Sequence, residues 1–202
     1  MHLVLGLGNP GRRYVHTRHN AGFLVVDRLA ERRGVACERR QLGALVETVR
    51  IGTETVVLAK PQTFMNLSGQ AAASLSGFYK PGGEQLVVVH DDVDLPFGQI
   101  RVKKGGGHGG HNGLRDLGAR LREPFLRVRL GVGRPPAGWD TADHVLGRWS
   151  ADEEAALPGL VEEAADAVEL VVTQGVVAAM NQVNVRRSRS AATPEASSKI
   201  QN

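Results

Sequence analysis

Residues 85–92 read QLVVVHDD, an apolar run that passes without a break into one histidine and two aspartates. Residues 85–89 are rich in β-formers, so this stretch predicts a buried strand that delivers titratable groups at its carboxyl end. Residues 2–7, HLVLGL, repeat the arrangement and stop at Gly8-Asn9-Pro10-Gly11. Residues 45–51 and 55–60 flank Gly52-Thr53-Glu54 and predict a hairpin, and 99–103 and 126–132 predict two more strands. Helices are predicted over 21–33, with Asn20 as cap and Gly34 just past the end, over 68–79, and near 112–121. Ser150-Ala151-Asp152-Glu153 is a capping box opening a helix with Leu157, Leu160, Val161, Ala164, Val168 and Val171 on one side; a shorter helical piece holds 177–183. Strands and helices interleave around the hairpin, which argues for one three-layer α/β domain, a central twisted mixed sheet flanked by helices. The domain is expected to span 1–185, with 186–202 a polar, disordered tail.

The composition agrees with one domain: 202 residues, 42% hydrophobic and 23% charged. The single cysteine, Cys37, rules out an intramolecular disulfide framework and fits a reducing compartment. No apolar run approaches the ~20 residues of a membrane span. The first residues carry no basic n-region and no small-residue cleavage site, so a soluble, cytoplasmic protein without a membrane partner is expected. The formal net charge is only +4, but it is unevenly spread. Residues 95–135 hold nine basic and two acidic residues, whereas 150–175 hold seven acidic and none basic. Such one-sided positive charge suits a polyanion, and it equally suits solvated faces.

Five segments carry chemistry. Gly6-Leu7-Gly8-Asn9-Pro10-Gly11 fits the dinucleotide pattern G-x-G-x-x-G, but nine residues intervene before the next helix and Glu31 lies within that helix, so a nucleotide cofactor is not expected. His19, with Asn9, Tyr14 and Asn20 nearby in sequence, can accept a proton at neutral pH, or it is a structural loop histidine. His90, Asp91, Asp92 and Asp94 could hold a divalent cation, pair a carboxylate with a histidine, or form a solvated turn. Residues 105–113, GGGHGGHNG, allow close backbone approach to an anion; no G-K-[ST] closes them as a Walker loop, and the absence of an H-E-x-x-H helix weakens a metal role for His108 and His111. In residues 60–69, KPQTFMNLSG, Phe64 either stacks on a ring or enters the core, and Asn66 can hydrogen-bond a carbonyl. No G-x-S-x-G elbow exists, and Cys37 sits in an ordinary charged stretch. A His/Asp/Asn constellation beside a basic, glycine-rich loop remains, with water as nucleophile.

GLGNPG, YVHTRHNAG, KPQTFMNLSG, HDDVDLP and GGGHGGHNGLRD, in that order, with AMNQVN near the end, resemble the bacterial peptidyl-tRNA hydrolase family from Leu3 to about Asn184. The resemblance implies a monomeric enzyme that hydrolyses the ester between a peptide and the 3′ ribose of tRNA without a metal or organic cofactor. It implies His19 as general base, Asp91 as the group that orients it, and Asn9 as a contact to the peptide next to the ester. Tyr14, Asn20, Phe64, Met65, Asn66 and Asn112 would line the groove for the tRNA 3′ end and peptide. Arg101, Lys103 and Arg129 would meet the acceptor stem and its 5′ phosphate, with the register of Arg127 against Arg129 left open. The two competing readings are a non-catalytic RNA-binding protein and a metal-dependent phosphohydrolase built on His90, Asp91, Asp92 and Asp94.

Overall fold

The computed structural model describes residues 1–121 and 123–186. Its strands are β1 (His2–Gly6), β2 (Arg39–Gln41), β3 (Ala44–Ile51), β4 (Glu54–Pro61), β5 (Leu86–Asp92), β6 (Ile100–Lys104) and β7 (Leu126–Gly131). They form one sheet in the order β2-β3-β4-β1-β5-β7-β6. β1 pairs in parallel with β4 and β5, and β5 with β7, while β2, β3 and β6 add antiparallel edges. The helices are α1 (Ala21–Glu31), α2 (Ser68–Tyr79), α3 (Asn112–Arg120), α4 (Thr141–Leu146) and α5 (Ala151–Arg186). None of the described helices is long and apolar enough to cross a membrane.

Alternation along the central strands makes the three layers. Val4, Val87 and Val89 point to the face covered by α1 and α5, whereas Leu3, Leu5 and Val88 point to the face covered by α2 and α3. The same period of two shapes the far edge. Ile100, Val102, Leu126, Val128 and Leu130 pack towards α5. The residues between them put Arg101, Lys103, Arg127 and Arg129 on the opposite face, with Arg101 beside Arg129 and Lys103 beside Arg127. The basic segment of the sequence is thus one face of a strand pair.

The acidic helix has a different destination. Arg32 of the α1 C-cap reaches Glu162 at 2.6 Å and Asp166 and Glu169 at 2.7 Å, Arg28 also bonds Glu162, and Arg33 bonds Glu169 at 2.8 Å. Hydrogen bonds from Arg28 and Arg32 push the Glu162 carboxyl down to about 2. These carboxylates neutralise α1 and leave the β6–β7 cations uncompensated by α5.

Several elements depart from the sequence reading. α1 ends at Glu31 rather than residue 33, and Asn20 does not cap it, because Asn9 occupies the Asn20 side chain. The two C-terminal helical pieces are present as expected, α5 being two helices joined across a kink where Gly175 adopts φ +83°. The Ser150–Glu153 box closes as expected, with Ser150 N–H donating to Glu153 at 2.7 Å and Glu153 N–H to Ser150 Oγ at 3.3 Å. Apart from Arg186, which ends α5, the expected polar tail lies outside the described residues.

The glycines that imitate a nucleotide fingerprint serve packing. A Cβ on Gly22 would lie 2.4 Å from both the Leu7 nitrogen and the Val89 oxygen, and one on Gly6 would lie 2.3 Å from the Gly22 oxygen. A Cβ on Gly8 would meet the Phe23 ring at 2.8 Å. α1 therefore touches the ends of β1 and β5 through bare backbone, which brings the residues just before α1 close to the end of β5. Gly22→Ala is expected to lower stability by about 3 kcal/mol or more, since the colliding atoms are backbone and cannot repack. Urea unfolding with an unchanged m-value measures this, and a loss under ~0.5 kcal/mol contradicts the close approach.

Candidate active site

β4 lies on one side of β1 and β5 on the other, so the connections from their carboxyl ends diverge and leave a crevice. A groove of about 1190 Å³ opens there. Asn9 follows β1, Phe64, Met65 and Asn66 follow β4, and Asp91 closes β5, so the topology gathers segments distant in sequence.

Asp91 is the centre of the constellation. Its side chain is buried, and His19 Nδ1 lies 2.9 Å from both of its oxygens. His111 Nε2 lies 3.0 Å from Oδ1, and the two imidazole rings are 4.9 Å apart. Burial acts against the charged form of Asp91, but the two imidazoles outweigh it and hold the carboxyl well below the usual carboxylate range. For His19, burial favours the neutral ring, and the charge and hydrogen bond of Asp91 more than reverse this, so its pKa is raised. With an ionised acceptor at Nδ1, that nitrogen carries the proton and Nε2 keeps a lone pair, the tautomer a general base requires.

His111 is locked in a complementary way. Its Nδ1 accepts the Leu114 N–H at 3.3 Å at the start of α3, so Nε2–H is the donor to Asp91. His90 is fully buried, and its Nδ1 lies 2.6 Å from the Asp91 carbonyl oxygen, to which it donates. Burial, with the nearby His111, pushes the His90 pKa down to about 3, so a third ring stays neutral behind the pair.

Asn9 is oriented from both sides. Asn20 Oδ1 accepts the Asn9 N–H at 2.8 Å and Asn20 Nδ2 donates to the Asn9 carbonyl at 3.0 Å. Asn9 Oδ1 accepts the Met65 N–H at 2.8 Å. The carboxamide therefore presents its N–H groups to the groove. Asn112 accepts Arg115 Nη2 through Oδ1 at 2.6 Å, which likewise leaves its N–H groups outward. Tyr14 and Phe64 meet edge-to-face at 6.4 Å on the groove wall, and Phe64 is 55% exposed, which favours its role as a contact over its role as a core residue.

The structure thus brings Asn9, Tyr14, His19, Phe64, Met65, Asn66, Asp91, Lys103, Asn112 and Arg129 to one groove. Two expected contact residues are placed elsewhere. Asn20 is buried behind Asn9, and Arg101 lies on β6 outside the lining. Sequence reasoning overlooked the apolar side of the groove, where Pro135, Pro136, Trp139 and Leu146 stand around α4. The signal was Asp140, whose Oδ1 accepts the Ala142 N–H at 2.6 Å as a helix cap.

The divalent-cation reading of residues 90–94 does not fit the geometry. Asp92 is taken by Arg129 at 2.7 Å, Asp94 by Arg134 at 2.9 Å, and His90 faces a backbone oxygen, so their donors do not converge. His19, Asp91 and His111 do offer three donor atoms within 4.8 Å of one another. Each of these nitrogens lies at hydrogen-bond distance from a carboxylate oxygen, so hydrogen bonds among the three side chains satisfy the cluster.

The chain matches the family model for peptidyl-tRNA hydrolase over residues 3–192. It is 50% identical over 192 residues to a peptidyl-tRNA hydrolase of Anaeromyxobacter sp. (strain K), covering 95% of this chain and 100% of that protein. It is 49% identical over 186 residues to one of Chloroflexus aurantiacus, covering 91% of this chain and 99% of that protein. The crystal structure of peptidyl-tRNA hydrolase from Acinetobacter baumannii superposes with a TM-score of 0.85 at 40% identity, over 92% of this chain and 95% of that one. With the family model matched over residues 3–192 and about half its residues identical to those of the Anaeromyxobacter and Chloroflexus proteins, the chain belongs to the peptidyl-tRNA hydrolase family of hydrolases.

Proposed function

We propose that the chain hydrolyses the ester between a peptide, or an N-blocked amino acid, and the 3′ ribose of tRNA, with His19 as general base. The observation that carries this reading is the His19 Nδ1 contact to both oxygens of Asp91 at 2.9 Å in the groove. Nε2 takes a proton from water as the water oxygen attacks the ester carbonyl. The tetrahedral oxyanion collapses, the ribose 3′ oxygen leaves and takes the proton held on His19 Nε2, and peptide and free tRNA separate. Carboxamide N–H groups of Asn9, Asn66 or Asn112 supply donors to the developing oxyanion. Asn9 also contacts the peptide next to the ester, which selects blocked over free aminoacyl groups.

The face carrying Lys103 and Arg129 takes acceptor-stem phosphates, with Arg101 further along the same face. The groups named here lie on one chain, and the reading is of an enzyme that acts as a monomer. No step calls for a metal or an organic cofactor.

The test is release of free tRNA from N-acetylaminoacyl-tRNA, with and without excess EDTA. Turnover that persists in chelator is the expected result. Absence of release supports a non-catalytic RNA-binding protein, and loss of turnover in chelator supports a metal-dependent hydrolase.

A further inference from the structure

Arg127 is 6% exposed, and among the described residues no carboxylate lies within ion-pair distance of it, because Arg129 takes Asp92. Its Nη1 donates to the Gly107 carbonyl at 2.7 Å and its Nη2 to the Gly106 carbonyl, while its guanidinium lies 5.0 Å from the Phe125 ring centre. Nε is buried without a partner. A buried cation is thus compensated by two carbonyls of the glycine loop and an aromatic face. A guanidinium fork spans two adjacent carbonyls, which an ammonium group cannot do in one geometry.

The loop needs such a tie. Gly105, Gly106, Gly109 and Gly110 all adopt positive φ, at +61°, +94°, +55° and +82°, so its own sequence supplies little stiffness. It is fastened upstream by Gly105 N–H to the Phe125 carbonyl at 3.0 Å and by Arg127. Four residues beyond Gly107 the chain reaches His111, which turns its Nε2 to Asp91 at 3.0 Å, and then Asn112 in the groove. Lys103, opposite Arg127 in the sheet, is instead exposed and makes no ion pair among the described residues.

We infer that Arg127 is a positioning residue for the hydrolytic reaction proposed above: it clamps the glycine loop by the Gly106 and Gly107 carbonyls so that His111 and Asn112 reach the Asp91 site, and it does not itself bind a tRNA phosphate. The inference rests on the hydrolase reading and settles the register left open in the sequence, giving phosphate to Lys103 and Arg129 and the loop to Arg127.

The experiment compares wild type, Arg127→Lys, a variant with one glycine inserted after Gly107, and Lys103→Ala on N-acetylaminoacyl-tRNA across a salt series, with circular dichroism as a folding control. Arg127→Lys keeps the charge and loses the fork, whereas the insertion keeps Arg127 and breaks the register between clamp and His111. Both are expected to lose kcat by about 10–100-fold, the scale of a misplacement near 1 Å, with the salt slope of kcat/KM as in wild type. Lys103→Ala supplies the contrast, a slope shallower by about one. Retention of wild-type kcat by the folded insertion variant, or by folded Arg127→Lys, overturns the inference. So does a shallower salt slope in Arg127→Lys with kcat kept, which would make Arg127 a phosphate contact. A wild type that releases no tRNA overturns the hydrolase reading and this inference with it.

Discussion

His19→Ala is expected to lower kcat for N-acetylaminoacyl-tRNA by about 10²–10⁴-fold, the usual contribution of a positioned general base, with KM nearly unchanged. In the proposed reaction Nε2 acts on water in the transition state, while binding is assigned to Lys103, Arg129 and the carboxamides of Asn9 and Asn112, so KM is expected to stay. The fold is expected to survive. Asp91 keeps the His111 Nε2–H donor at 3.0 Å, so the truncation does not strand a buried carboxylate without a partner. The stability cost is then that of one lost charge-assisted hydrogen bond, about 1.5–3 kcal/mol. Single-turnover kinetics with circular dichroism on the same sample separate the two effects. A folded variant within threefold of wild-type kcat removes His19 from the chemistry, and an intact kcat with a raised KM reduces it to a substrate contact.

How much of this was legible in the sequence depends on the range of each interaction. The buried strands were, because Val87–Val89 and Leu3–Leu5 show the pattern within a few residues, and α2 was found at its observed limits, Ser68–Tyr79. β2 was not, because Arg39-Arg40-Gln41 is a short polar edge held by pairing with β3 rather than by any periodicity of its own. Asn20 was read as a cap from its position, and the tertiary bond to Asn9 won over the local one. His19 and Asp91 were singled out by type and neighbourhood, whereas their contact spans 72 residues and appears only once β1, α1 and β5 are packed. His111 was weighed as a metal ligand because a histidine beside glycines looks alike in either role. Its role follows from two bonds, one to α3 and one to Asp91, that a linear reading does not display.

The charge count shows the same division. A net +4 conceals two arrangements that do not interact. Arg18, Arg28, Arg32 and Arg33 pair with carboxylates of α5, so four of the eight basic residues of 1–40 are neutralised there. Strand alternation places Arg101, Lys103 and Arg129 opposite the side that packs on α5, the face proposed to meet the polyanion.

Asp91→Asn is expected to lower the plateau of kcat by about 10²–10⁴-fold and to move the acid limb of the pH–rate profile to lower pH. In the wild type the proposed base acts when His19 is neutral, so the rate is expected to rise as pH passes through its raised pKa. That elevation is the surplus of the Asp91 anion over burial. With Asn at 91 the anion is gone and burial is left, and burial favours the neutral ring, so the His19 pKa falls below its ordinary 6.5. The ring is then free of its proton at lower pH, yet it is a weaker base and has lost the acceptor that fixes its tautomer, so the earlier rise leads to a lower plateau. The linkage to stability runs through the same groups. The depressed pKa of Asp91 contributes stability that is present above the unfolded carboxyl value and lost as pH falls through the folded one, and the raised pKa of His19 contributes stability that is present below 6.5 and lost as pH rises through the folded value. The pair therefore stabilises the fold most on the acid side of neutrality, and Asp91→Asn is expected to flatten that part of the Tm–pH curve. The proposed general base needs the opposite side, where His19 is neutral, so full turnover is expected to begin where the stabilising charge pair dissolves. A pH–rate midpoint unchanged in Asp91→Asn, in a protein that still folds, would mean that another group titrates in the wild-type profile.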